Sequence, residues 1–117
     1  ITPAMKQKLA IARSIIRNPK ILVLDDVFAN LDTPNELKIM EGIPDLARGR
    51  TLIIISQQLW YLRHCRKIMF VNQGKVEQFG DTQTVISEDG PIKNFLEKQL
   101  SIVSPKLKGQ QNLIFNQ

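Results

Sequence analysis

Among 117 residues there is one cysteine and one histidine, adjacent at Cys65 and His64. A single thiol excludes an internal disulfide, and such sparing use of cysteine fits a reducing compartment. One His and one Cys cannot assemble the three or four ligands of a zinc site, so both are read as structural. Aromatic residues are scarce as well: one Trp, one Tyr and five Phe, too few and too scattered to stack single-stranded nucleic acid. Long apolar runs are missing. The longest clean ones cover residues 21–24 and 52–55, far short of the ~20 residues of a membrane-spanning helix. No cleavable leader pattern appears, and the chain itself is not expected to cross a membrane. It opens on Ile1 rather than Met and reads as a piece of something longer, enough for at most one domain of the usual ~100–150 residues.

Negative charge is absent from the first 24 residues, which hold Lys6, Lys8, Arg13, Arg17 and Lys20. From Asp25 onward eleven basic and eleven acidic residues cancel. A basic helix of this kind suits phosphate, an anionic membrane surface or nucleic acid; the plainer reading is a solvated helix face.

The residues that are present have the grammar of an α/β fold. Met5, Leu9, Ala12 and Ile16 recur at helical spacing, so one amphipathic stripe is expected, ended by Asn18-Pro19. Ile21-Leu22-Val23-Leu24 reads as a strand buried on both faces, the pattern of a central parallel strand. Thr33-Pro34-Asn35-Glu36 carries a helix-start signature, with Thr33 as cap and Pro34 at the first helical position. Leu37 and Met40 belong to the next helix, and Gly42 and Pro44 are expected to end or kink it early. Residues 51–55 are rich in β-branched side chains and predict another buried strand. A short helix is expected over 59–64. Residues 67–71 and 75–79 flank Asn72-Gln73-Gly74 and predict a hairpin. A short helix should open at Gly80-Asp81-Thr82, and a last one should span 91–100 with Ile92, Phe95 and Leu96 inward. Residues 101–117 read as a loose tail.

Strands alternating with helices predict a mostly parallel sheet flanked by helices, with a C-terminal hairpin. Ligands of such sheets sit beyond the carboxyl ends of the strands, which directs attention to the residues just after Leu24 and Ile55. Asp25 and Asp26 come directly after the first run. A buried strand ending in a carboxylate is how a P-loop nucleotidase presents its Walker B aspartate, which holds Mg²⁺ directly or through water. Paired acids at a strand end are also frequent as simple caps on the next element.

The surrounding order is more specific. Lys6-Gln7-Lys8-Leu9-Ala10-Ile11-Ala12-Arg13, then Asn18-Pro19-Lys20-Ile21-Leu22-Val23-Leu24-Asp25-Asp26, then Ala29-Asn30-Leu31-Asp32, resembles the ATP-binding cassette (ABC) ATPases. Gly49-Arg50-Thr51, residues 53–56 and residues 67–80 continue the match in order, so that it covers roughly residues 1–100. The closing portion is most similar to the cassettes of export-type transporters. The resemblance implies a partial nucleotide-binding domain over 1–100: the C-terminal portion of a RecA-like P-loop NTPase fold that binds ATP and Mg²⁺ and dimerises with a second cassette to power a transmembrane domain at the cytoplasmic face of a membrane. On that resemblance Asp25 matches the Mg²⁺-associated aspartate and Asp26 the catalytic carboxylate. Gln57 matches the switch histidine that contacts the γ-phosphate, and Asp32 the D-loop acid at the dimer seam. Residues 1–5 fall on the signature pentapeptide, with Thr2 at the serine.

Four departures from the family pattern are as informative as the matches. The Gly-x-x-x-x-Gly-Lys-Ser/Thr loop that cradles phosphates is absent from these residues; in the family it precedes the signature. Pro3 and Ala4 replace the paired glycines: Pro3 has no N–H to donate, and the Cβ of Ala4 restricts positive φ. Asp26 stands where glutamate is usual, one C–C bond short of a base that must reach within about 2.6–3.2 Å of its proton. Gln57 can donate a hydrogen bond to phosphate but cannot carry charge or relay a proton. Together these predict a cassette with slow or absent hydrolysis. A non-hydrolysing regulatory cassette that dimerises around nucleotide is the second reading. A DNA-associated cassette ATPase ranks last, because no heptad array for its coiled coils appears.

Overall fold

A computed structural model describes residues 1–27 and 33–102. The chain divides into two compact units, with the boundary between Gln57 and Gln58. Of the tail expected at 101–117, only Ser101 and Ile102 lie among the described residues, as the end of a helix.

In the first unit, helix α1 spans Pro3–Ile15. It starts where the sequence provides both a cap and a stiff first residue: the Met5 N–H donates to Thr2 Oγ1 at 3.1 Å, and Pro3 follows Thr2 in the position where its missing N–H costs nothing. The inward stripe is not the expected one. Ala4 and Ile11 are buried and Gln7 and Ile15 half-buried, whereas Met5, Leu9, Ala12 and Ile16 face outward. The helix carries two apolar stripes set roughly a third of a turn apart at 3.6 residues per turn, and the unit buries the other one. Helix α1 packs against strand β1, Ile21–Asp25, after a reversal at Asn18 in the left-handed region (φ 50°).

Helix α2, Thr33–Ala47, packs against strand β2, Thr51–Ile55. It begins one residue earlier than the helix-start signature suggests and runs straight through Gly42 and Pro44, contrary to the expected early end. Ile39, Met40 and Ile43 are buried along one face, Ile43 completely. That anchoring outweighs the ~3 kcal/mol that an internal proline forfeits.

Strands β1 and β2 pair in parallel, with Ile21 opposite Thr51 and Asp25 opposite Ile55. Leu22 and Leu24 point into the covered face and are buried. Burial on both faces was the expectation, and it does not hold among the described residues. Ile21, Val23, Ile53 and Ile55 share the other face and are 63%, 50%, 45% and 50% exposed. The register fixes this outcome, since successive side chains of a strand alternate between faces.

The second unit starts with a 3-10 helix, Leu59–His64, followed by β3, Lys67–Asn72, and β4, Lys75–Asp81. These two strands are antiparallel and form the expected C-terminal hairpin as a two-stranded sheet of their own, while β1 and β2 form the parallel pair. The hairpin turn is the two-residue Gln73-Gly74, both with positive φ (49° and 75°), the twist that matches the strands it joins. Helices α3, Thr82–Ser87, and α4, Pro91–Ile102, complete the unit. Ile92 and Leu96 are buried and Phe95 half-buried, as the spacing predicts. Leu59 and Leu96 centre a cluster with Ile68, Ile86, Phe95 and Leu100. Two glutamines tie elements together at a distance. Gln78 Oε1 on β4 accepts the Ile92 N–H of α4 at 3.1 Å, and Gln99 Oε1 on α4 accepts the Leu59 N–H at 3.2 Å.

Candidate functional site

The two parallel strands end side by side, and the residues just beyond them form the candidate site. Asp25 is the last residue of β1 and is exposed. Its partner in register is Ile55, and Gln57, also exposed, lies two residues further along. Adjacent strands run ~4.8 Å apart, so both positions belong to one carboxyl edge of one sheet rather than to opposite sides of it. The ladder continues past Asp25: the Asp26 N–H donates to the Ile55 carbonyl at 2.8 Å. Asp26 then turns the chain out of the strand with φ 54°, in the left-handed region.

This edge can hold a cation only in company. Among the described residues no group of three or more His, Cys, Asp or Glu side chains is gathered as a metal cage. A strand-end carboxylate with open approach suits Mg²⁺, which keeps several of its waters and takes its other ligands from a phosphate-bearing molecule. The described residues of this edge therefore fit an ion shared with a phosphate-bearing molecule and do not fit a self-sufficient metal centre.

Thr2 is placed at the start of α1, where its oxygen accepts from Met5 N–H and its carbonyl from Lys6 N–H at 3.0 Å. Its hydroxyl proton stays available to a ligand, because capping uses only the acceptor side. The expected penalty at Ala4 takes a different form. Ala4 lies inside α1 and is buried, so its Cβ is packed, not strained by positive φ. The first turn of α1 itself contains no acidic side chain, and the positive end of a helix favours anions. The structure thus gathers Asp25, Asp26 and Gln57 at the sheet edge and leaves Thr2 engaged at the helix start. Asp32 lies outside the described residues.

Cys65 and His64 stand apart from this edge in sequence and in role. Burial raises the Cys65 thiol above its usual range, and its Sγ donates to the Tyr61 carbonyl at 3.7 Å. The Cys65 carbonyl accepts from the hydroxyl of buried Thr82 at 2.7 Å. One feature of the site was not foreseen from the residues, the left-handed backbone at Asp26. A signal for it existed, since Asp and Asn are the side-chain-bearing residues most enriched there.

No family model matches the chain. Individual proteins do. It is 34% identical over 106 residues to ABC transporter 1 of Ajellomyces capsulatus, which takes in 91% of this chain and 8% of that protein. It is 35% identical over 100 residues to ABC transporter B family member 2 of Dictyostelium discoideum, covering 86% and 7%. Multidrug resistance protein homolog 65 of Drosophila melanogaster is 34% identical over 96 residues, covering 82% and 7%. A solved structure of a bacterial Atm1-family ABC exporter with ATP bound superposes with a TM-score of 0.76 at 29% identity, over 85% of this chain and 18% of that one. The chain spans less than a tenth of the length of these curated relatives.

Proposed function

Since this chain is, over most of its length, a homologue of ABC transporters of the exporter and multidrug types, we propose that it is the C-terminal portion of their ATP-binding domain, a RecA-like P-loop cassette. There it couples ATP binding and hydrolysis to export, with weakened hydrolysis. In this reading residues 1–100 belong to the cassette and residues beyond 100 form a tail. The observation that carries it is the shared carboxyl edge, where Asp25 and the position of Gln57 come off neighbouring parallel strands. Ligands of open α/β sheets sit at such edges.

The roles derive from side-chain chemistry. Asp25 holds the Mg²⁺ that accompanies ATP, and that ion neutralises phosphate charge when bound. Asp26 stands at the position that orients the attacking water, with a side chain one carbon shorter than glutamate. Gln57 donates an amide hydrogen bond toward the γ-phosphate without a charge of its own. Thr2 offers its hydroxyl, and α1 its positive end, to nucleotide held by a second cassette, with Asp32 at the seam between the two. The phosphate-cradling loop and the membrane domain are supplied from outside these residues, which places the chain at the cytoplasmic face of a membrane.

The test uses the longer protein that contains this chain. Mg²⁺-dependent ATP binding is expected, with turnover far below that of an ordinary transporter. Asp25→Asn should weaken binding of Mg²⁺ with ATP while leaving metal-free ATP binding nearly intact. Ordinary turnover that disappears on Asp26→Asn would refute the weakened-hydrolysis part, and absence of any Mg²⁺-dependent ATP binding would refute the whole. The second reading, a non-hydrolysing regulatory cassette, is favoured by the coincidence of Asp26 and Gln57 at the two catalytic positions. It is selected if ATP drives dimerisation with no turnover at all.

A further inference from the structure

Residue 26 carries two properties at once, a carboxylate and an unusual backbone. Its φ of 54° lies where a Cβ crowds the following carbonyl, which most L-residues avoid. Asp and Asn escape part of that penalty, because a short polar side chain can bond locally to the backbone. Glutamate, one methylene longer, lacks this advantage. The same residue donates the final rung of the parallel pair, its N–H to the Ile55 carbonyl at 2.8 Å. A left-handed residue immediately after the last rung stops the strand at Asp25 and no later.

We infer that residue 26 is an aspartate because of the turn it makes, and that its contribution to the edge is positional: the left-handed backbone, pinned to Ile55, fixes where Asp25 leaves the sheet. Asp26 is on this account a positioning residue for Asp25, and the shorter side chain is the counterpart of the turn. Restoring the family's glutamate then strains the turn that presents the neighbouring ligand. The inference depends on the nucleotide reading only through the metal measurement below.

Four variants separate backbone from charge. Asp26→Gly and Asp26→Asn accept positive φ and lack the carboxylate. Asp26→Glu keeps the carboxylate and resists the turn, and Asp26→Ala fails on both counts. Thermal melting of the full chain should leave the Gly and Asn variants at or above the parent midpoint, and lower the Glu and Ala variants by about 4–8 °C. The second readout is retention of ATP at increasing Mn²⁺ by the longer protein that contains this chain, measured well below every midpoint. Gly and Asn should retain ATP at the parent's Mn²⁺ concentration, whereas Glu and Ala should need several-fold more. The opposite grouping, with Glu matching the parent and Gly, Asn and Ala falling together in both measurements, overturns the inference. If the parent itself shows no Mn²⁺-dependent retention of ATP, the nucleotide reading fails, and the melting order alone decides the turn.

Discussion

At single positions, the chemistry of this chain is set by what each side chain still has to give after the fold has used it. Thr2 spends its acceptor on the Met5 N–H and keeps a proton. Thr2→Ala should cost about 1 kcal/mol in urea denaturation, and Thr2→Ser almost nothing. Thr82 is buried and donates to the Cys65 carbonyl. Replacing it with Val preserves the shape and strands that carbonyl, for an expected loss of about 1–3 kcal/mol. Cys65 itself makes stability depend on alkaline pH. Its thiol is held above its usual value of 9.0 by burial, so the folded state keeps a proton that the unfolded chain gives up. The stabilisation is therefore complete below pH 9.0 and declines as pH rises toward the folded-state value. Cys65→Ala should flatten that alkaline decline in a pH series of melting curves. At Gln57, the missing charge and relay predict that Gln57→His raises turnover of the longer protein by about tenfold, a modest share of what proton-transfer groups contribute.

Among the elements, α2 shows most clearly where local rules yield. Gly42 and Pro44 argue for an early stop, and Ile39, Met40 and Ile43 hold the helix to Ala47 regardless. Apart from its chain neighbours and its own helix backbone, no atom of the described residues lies within 4 Å of where a Cβ at Gly42 would sit. Gly42→Ala should therefore stabilise the chain by about 0.5–1 kcal/mol. Ile43→Ala should cost about 2–5 kcal/mol, because that side chain has no exposed surface to give back. Most of the elements were legible in the residues: the two β-branched runs, the hairpin around Gly74 and the last helix with Ile92, Phe95 and Leu96 inward. The inward stripe of α1 was not, because that helix has two apolar stripes and periodicity alone cannot say which of them a sheet will bury. The carboxyl edge was legible through Asp25 and the strand before it. The turn at Asp26 was not, since an acidic pair after a strand carries no mark of its φ.

For the molecule as a whole, the parallel pair is apolar on both faces and covered on one. Parallel sheets are ordinarily buried on both sides, and the row of Ile21, Val23, Ile53 and Ile55 lies open in the described residues. A Val23→Thr, Ile53→Thr double variant should lower binding of a hydrophobic dye by the chain, at a cost in stability of less than about 1 kcal/mol because both side chains are half in water already. The same pair of changes should be more damaging in the longer homologous protein, where a chain more than ten times this length is available to cover that face.

Gln78 and Gly90 are close neighbours. The Gln78 amide that caps α4 lies 3.0 Å from where any side chain at residue 90 would begin. A larger residue at 90 obliges that flexible amide to give by a few tenths of an ångström, and a smaller one at 78 abandons the first turn of α4. Sequences descended from this one should therefore tolerate a lone change at 90 more readily than a lone change at 78.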